Sequence, residues 1–163
     1  MSETPFHRAL RDSVQEVLEK MFFVEPVEEP PGEAGSPDGI MAVQLAFEGL
    51  PSGVLTLCVT SAAARQIAAD FLGEDASGLS PAKVEEVVCE LANMICGSVL
   101  SRVESSATFR LASPRILLAG ERPIRREAAA RRAVHAVAIG SGTLTASMET
   151  RDPVCPQAAE SVS

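Results

Sequence analysis

Glu90 and Asn93 stand three residues apart in a run that holds no glycine or proline between Pro81 and Gly97. Side chains at i and i+3 lie next to each other on a helix surface. A carboxylate beside a carboxamide can grip a cation on a partner and orient a water molecule. Asn is a mediocre former of helix interiors, so local propensity does not account for its place there. Gly97 follows one turn later, where a helix-interior glycine costs about 1 kcal/mol relative to alanine. On an outward face it gives a smooth spot for another backbone to approach closely. Packing against the first helix of the same chain would explain it equally well. On spacing alone, a solvated polar face would also explain Glu90 and Asn93.

The element that holds these residues is a helix predicted from residue 81 to about 103. Ser80 can cap it, and Pro81 fits the first turn, where a missing N–H costs nothing. At 100° per residue, Val84, Val87, Val88, Leu91, Ile95 and Val99 fall within about 120° of one another and must face a core. Glu86, Glu90, Asn93, Gly97 and Glu104 cluster within about 60° on the opposite side. The pair therefore projects outward from a helix anchored by its own back face.

The rest of the chain supplies that anchor. Its 163 residues suit one domain, read here as residues 1–150, with 151–163 as a disordered tail. Thr4 and Pro5 start a first helix carried by Leu10, Val14, Val17, Leu18 and Met21, ended by Pro26. Residues 25–39 form an acidic loop rich in proline and glycine. Met41, Val43, Leu45 and Phe47 then alternate with Gln44 and Glu48, and Leu55, Leu57 and Val59 alternate with Thr56 and Thr60. These two runs predict an antiparallel hairpin with one buried face. A short helix over residues 62–72 follows, stopped by Gly73. Residues 108–111 and 115–118 are strand candidates around Ser113 and Pro114, where a kink or sheet edge is expected. Residues 120–132 read as a loop carrying Arg122, Arg125, Arg126, Arg131 and Arg132, interrupted by Glu121 and Glu127. Residues 134–139 and 143–148 flank Gly140, Ser141 and Gly142 as a second hairpin. Strands grouped between helices without βαβ alternation predict an α+β fold: an antiparallel sheet of about five to six strands, two long helices and one shorter helix.

Composition narrows the function. A net charge of −8 disfavours nucleic acid and anionic membranes as partners. Aromatics are 4%, with no Trp or Tyr, so stacking platforms for single-stranded nucleic acid are lacking. No signal-peptide core or long apolar run is visible, so the expected location is the cytoplasm. Cys58, Cys89, Cys96 and Cys155 form no C-x-x-C pair, and they read as reduced, small apolar side chains with no metal bound. His7 and His135 read as lone residues without chemistry.

Residues 81–101, with Glu90, Asn93 and then Gly97, resemble the signature helix of the CheC/CheX/FliY family of chemotaxis phosphatases. Residues 110–120, with their Ser113-Pro114 break, resemble the strand that follows it in that family, and the order of elements also fits. The first helix pairs Glu16 with Glu19 and Glu19 with Phe22, so it lacks a second E-x-x-N, and the chain looks most like CheX. The resemblance implies dephosphorylation of the phospho-aspartate of a CheY-type receiver domain. Asn93 would orient the attacking water and Glu90 would accept the receiver's lysine, with Glu86 and Gly97 as partner contacts. Mg²⁺ would come with the receiver and no cofactor would be bound by this chain. The resemblance also implies a homodimer formed through sheet edges. The alternatives are a receiver-binding adaptor without catalysis and a structural module like those of the flagellar switch.

Overall fold

The structure, a computed structural model, describes residues 4–29, 39–49, 52–103, 108–117, 131–140 and 142–151. It is α+β. Helix α1 (Pro5–Glu16) runs into a π-helical turn (Val17–Met21), followed by β1 (Val27–Glu29), β2 (Ile40–Glu48) and β3 (Ser52–Thr60). Then come α2 (Ser61–Leu72), a 3₁₀ turn (Ala76–Gly78), α3 (Pro81–Val103), β4 (Arg110–Leu111), β5 (Arg115–Ile116), β6 (Arg131–Ile139) and β7 (Gly142–Arg151).

Seven strand segments fill six positions of one antiparallel sheet, in the order β1-β6-β7-β3-β2-β4, with β5 also paired to β2. The two long hairpins meet through β3 and β7 at the centre. Phe47 opposes Leu111, while Gln44 opposes Arg115. Three residues on one strand thus face two on the other. The extra residue makes a β-bulge at Ala112, Ser113 and Pro114, where a proline that cannot donate is tolerated.

Alternation assembles the core. Leu45 opposes Leu55, which opposes Met148, and Val59 opposes Leu144. All are fully buried, as are Leu10, Leu18, Ile67, Leu91 and Ile95 of the helices that cover this face. Helix ends are set locally. Thr4 Oγ1 accepts from the His7 N–H at 3.0 Å, and Gly73 stops α2 in a left-handed conformation, φ 68°. Thr60 Oγ1 caps α2 through the Ala63 N–H and also accepts from the Thr143 N–H at 3.0 Å. Gly142 makes that approach possible, because a Cβ there would lie 2.2 Å from Thr60 Oγ1.

Several expectations need correction. Residues 27–29 of the acidic loop form β1 on the edge of β6, and residues 30–38 lie outside the described residues. The first hairpin is not buried on one face only. Gln44 and Thr56, on the opposite face, are buried, and Gln44 Nε2 donates to Thr56 Oγ1 at 3.1 Å across the ladder. Arg131 and Arg132 belong to β6, and Arg132 Nε pairs with Glu149 at 2.9 Å. The remainder of the arginine-rich loop lies outside the described residues. Arg151 closes β7 opposite Ser52 rather than opening a tail, and residues 152–163 are not described. His7 and His135 are not isolated. Their rings meet edge to face at 6.0 Å, and His7 Nε2 lies 2.9 Å from the Val134 carbonyl.

Candidate functional site

Helix α3 is 23 residues long, about 35 Å at 1.5 Å per residue. Ser80 Oγ caps it by accepting from the Lys83 N–H at 3.2 Å. Its buried side chains are Val84, Val87, Val88, Leu91, Ala92, Ile95, Cys96, Val99 and Leu100. The six residues of the sequence stripe are all among them. Burying a Val, Leu or Ile side chain contributes roughly 1.5–3 kcal/mol, so this face fixes the helix firmly. It packs against α1, α2, β2, β3 and β5.

Two contacts set its rotation against α1. The Ser98 hydroxyl donates to the buried Ser13 hydroxyl at 2.9 Å. Arg102 pairs with Glu16 and holds the Glu16 carboxyl below the usual carboxylate range, first by hydrogen bonding and then by its charge. Burial pushes the Cys96 thiol up to about 12, which keeps it neutral on the buried face of the helix. Burial also raises Cys89, on the flank of the helix, and the Glu85 charge adds to the effect.

On the outer side, Glu86 and Glu90 are exposed, and Asn93 and Gly97 are half-buried. The four residues singled out from the sequence thus share one accessible face. Among the described residues, neither Glu90 nor Asn93 spends its head group on a hydrogen bond or ion pair within the chain. Among the described residues, a Cβ built on Gly97 meets nothing within 4 Å, so packing against the first helix does not account for this glycine. The arrangement is a flat, uncommitted carboxylate–carboxamide pair on a rigid support. Chemically it can take a cation with Glu90 while Asn93 both donates to and accepts from a water.

The E-x-x-N criterion overlooks one chemical analogue on α1. Asp12 and Gln15 form a carboxylate–carboxamide pair at the same spacing. Both are already engaged along their own helix, Asp12 by Arg11 at 3.2 Å and Gln15 by Glu19 at 2.7 Å. Scanning for side-chain chemistry rather than for letters would have found them. Among the described residues, no three His, Cys, Asp or Glu side chains are grouped to hold a metal ion. No helix of the described residues is long and apolar enough to cross a membrane.

The same architecture recurs in solved structures. The chemotaxis protein CheX from Vibrio vulnificus is 21% identical, with a TM-score of 0.72 over 92% of this chain and 100% of that one. CheX from Borrelia burgdorferi, solved as a CheX-CheY-BeF3-Mg complex, is 17% identical, with a TM-score of 0.69 over 90% of this chain and 98% of that one. The FliM middle domain of Vibrio alginolyticus is more distant, at 7% identity and a TM-score of 0.57 over 95% of this chain and 96% of that one. None of the curated proteins matches the sequence. The family described as chemotaxis phosphatase CheX matches residues 41–137, a span that includes β2 from its second residue, β3, α2, all of α3 with Glu90 and Asn93, the bulged edge and most of β6. The chain belongs to the CheX family.

Proposed function

We propose that this protein hydrolyses the phospho-aspartate of a CheY-type receiver domain in chemotaxis or a related two-component system. The observation that carries the reading is the uncommitted Glu90–Asn93 pair on the outer face of α3, with open surface over Gly97 one turn on. The family description as a chemotaxis phosphatase and the Borrelia complex with CheY, BeF3 and Mg support it.

Phosphoryl transfer depends mostly on in-line placement and charge stabilisation, so the phosphatase needs little covalent chemistry of its own. The receiver brings the acyl phosphate, its Mg²⁺ and a lysine. The Glu90 carboxylate accepts that lysine and fixes the docking register. The Asn93 carboxamide holds a water opposite the leaving carboxylate. The water oxygen bonds to phosphorus as the phosphorus–oxygen bond to the aspartate breaks. The aspartate leaves as a carboxylate, and both water protons end on the inorganic phosphate or pass from it to solvent. A carboxylate at residue 93 would repel the phosphoryl oxygens, whereas an amide does not ionise. Glu86 and Gly97 border the docking face, and the flat surface at Gly97 lets the receiver backbone come close.

Phosphate release from a phosphorylated receiver domain, with and without the chain, tests this reading. Loss of acceleration in Asn93→Ala supports it, and undiminished acceleration sinks it. The Borrelia CheX-CheY-BeF3-Mg complex, which records binding rather than turnover, keeps a second reading in view, a receiver-binding module without hydrolysis. That reading requires stable co-elution with the beryllofluoride-loaded receiver and no phosphate release from the phosphorylated one.

A further inference from the structure

At the end of the π-helical turn, two successive phenylalanines part ways. Phe22 is fully buried and stacks on Phe71 of α2, with ring centroids 4.4 Å apart and planes 25° apart. Phe23 points outward and is 68% exposed. Its φ is +59°, and it is the sole non-glycine residue with positive φ among the described residues. The helix ends by the Phe22 N–H donating to the Val17 carbonyl at 3.2 Å and the Val24 N–H to the Leu18 carbonyl at 2.8 Å. Such an ending asks for glycine, or for asparagine, at the left-handed position. A bulky aromatic there strains the backbone, and an exposed ring returns little burial in exchange.

The ring is not alone. Met21, 45% exposed, and Val27, 65% exposed, lie within four residues of it and add apolar surface at the junction of the π turn and β1. Glu19, Phe23, Val24 and Glu25 line an open depression of about 470 Å³. The aromatic thus shares this depression with two carboxylates. The apolar ring calls for a large apolar side chain, and the carboxylates beside it in the depression call for cations.

We propose that Phe23 is the anchor of a protein-docking site whose occupant is a basic segment, one large apolar side chain flanked by lysine or arginine. The site stands apart from the Glu90–Asn93 pair and does not depend on the function proposed for it. A strained, exposed aromatic rimmed by charge has the make-up of an interface hot spot.

The test uses the full chain and a fluorescein-labelled, amidated peptide with a single leucine between lysines, followed by anisotropy at two ionic strengths. A matched peptide with glutamates in place of the lysines is the control. The expected result is saturable binding of the lysine peptide that weakens with salt, no binding of the control, and a loss of at least about tenfold in affinity in both Phe23→Gly and the double variant Glu19→Lys/Glu25→Lys. Phe23→Gly should also melt at the same or a higher temperature, since glycine suits the backbone there. Equal binding by Phe23→Gly overturns the proposal, and so does a lower melting temperature, which would make the ring a structural support. Self-association of the chain that Phe23→Gly abolishes would put a second copy on the patch and also overturns it. Binding seen only after removal of residues 30–38 would assign the patch to the chain's own loop and overturns it as well.

Discussion

The Ser98 hydroxyl, one residue beyond Gly97, donates to the Ser13 hydroxyl of α1 at 2.9 Å. Ser13 has no exposed surface. The bond is a polar pin between two helices otherwise held by non-directional packing, and it fixes which side of α3 faces outward. Ser98→Ala strands the buried Ser13 hydroxyl and is expected to cost about 1–2 kcal/mol, while Ser13→Ala leaves the half-buried Ser98 with access to water and costs less. The double variant should lie close to the wild type, because both partners leave together. Urea unfolding of the four proteins gives the coupling. Strictly additive losses would show that the two hydroxyls do not depend on each other.

Asn93→Ala is expected to slow receiver dephosphorylation by two to three decades, about 3–4 kcal/mol in the barrier, with little change in receiver affinity. Glu90→Ala should do the reverse, weakening binding more than it slows the chemical step. Single-turnover phosphate release over a range of receiver concentrations separates the two effects. Equal losses in both parameters for both variants would contradict the division of labour between the side chains.

Gly97 offers a sharper test, because fold and docking should respond in opposite directions. A Cβ at this position has open space around it, and alanine is the better residue in a helix interior. Gly97→Ala should therefore raise stability by about 0.5–1 kcal/mol. Gly97→Leu should also fold, yet it places bulk on the proposed docking face and should weaken receiver binding by at least about tenfold. Calorimetry and receiver titration on the same preparations check both. A destabilised Gly97→Ala would mean that the space is filled.

Much of this was legible from the sequence because it is local. The caps at Thr4 and Ser80, the stop at Gly73 and the apolar stripe of α3 each depend on residues within a few positions of one another. The outward face of Glu86, Glu90, Asn93 and Gly97 follows from helical geometry once the stripe is known. What escaped depends on partners distant in sequence. Val27 to Glu29 is too short and too acidic to announce a strand, and it becomes one through pairing with Ala138, Val137 and Ala136 of β6. Gln44 looks solvated beside Glu48 until Thr56 is placed opposite it. His7 and His135 meet only because α1 lies over β6, and no spacing rule joins them.

Cys96 ties stability to pH. Burial holds its thiol neutral up to about 12, whereas an unfolded thiol ionises near pH 8.5. The native state therefore keeps a proton that the unfolded chain gives up. Stability from this group is complete below about pH 8.5 and declines as pH rises from there toward about 12. The urea midpoint should fall between pH 8 and pH 10, and less so in Cys96→Ala once its lower starting stability is subtracted. In parallel, iodoacetamide at pH 8 should leave Cys96 unlabelled in the native protein and label it in urea, as read by site-resolved mass spectrometry.

The bulge at Ala112 to Pro114 also bears on how this sheet meets its own kind. An unbroken rim of backbone donors and acceptors would recruit strands from neighbouring molecules without limit and grow toward fibres. Here one rim is split into two-residue segments by a misaligned, proline-bearing interval, and the described part of the other is three residues long. Each rim can seat a short ladder but gives poor footing for a long one. A sheet bordered in this way has its growth ended at its own edges.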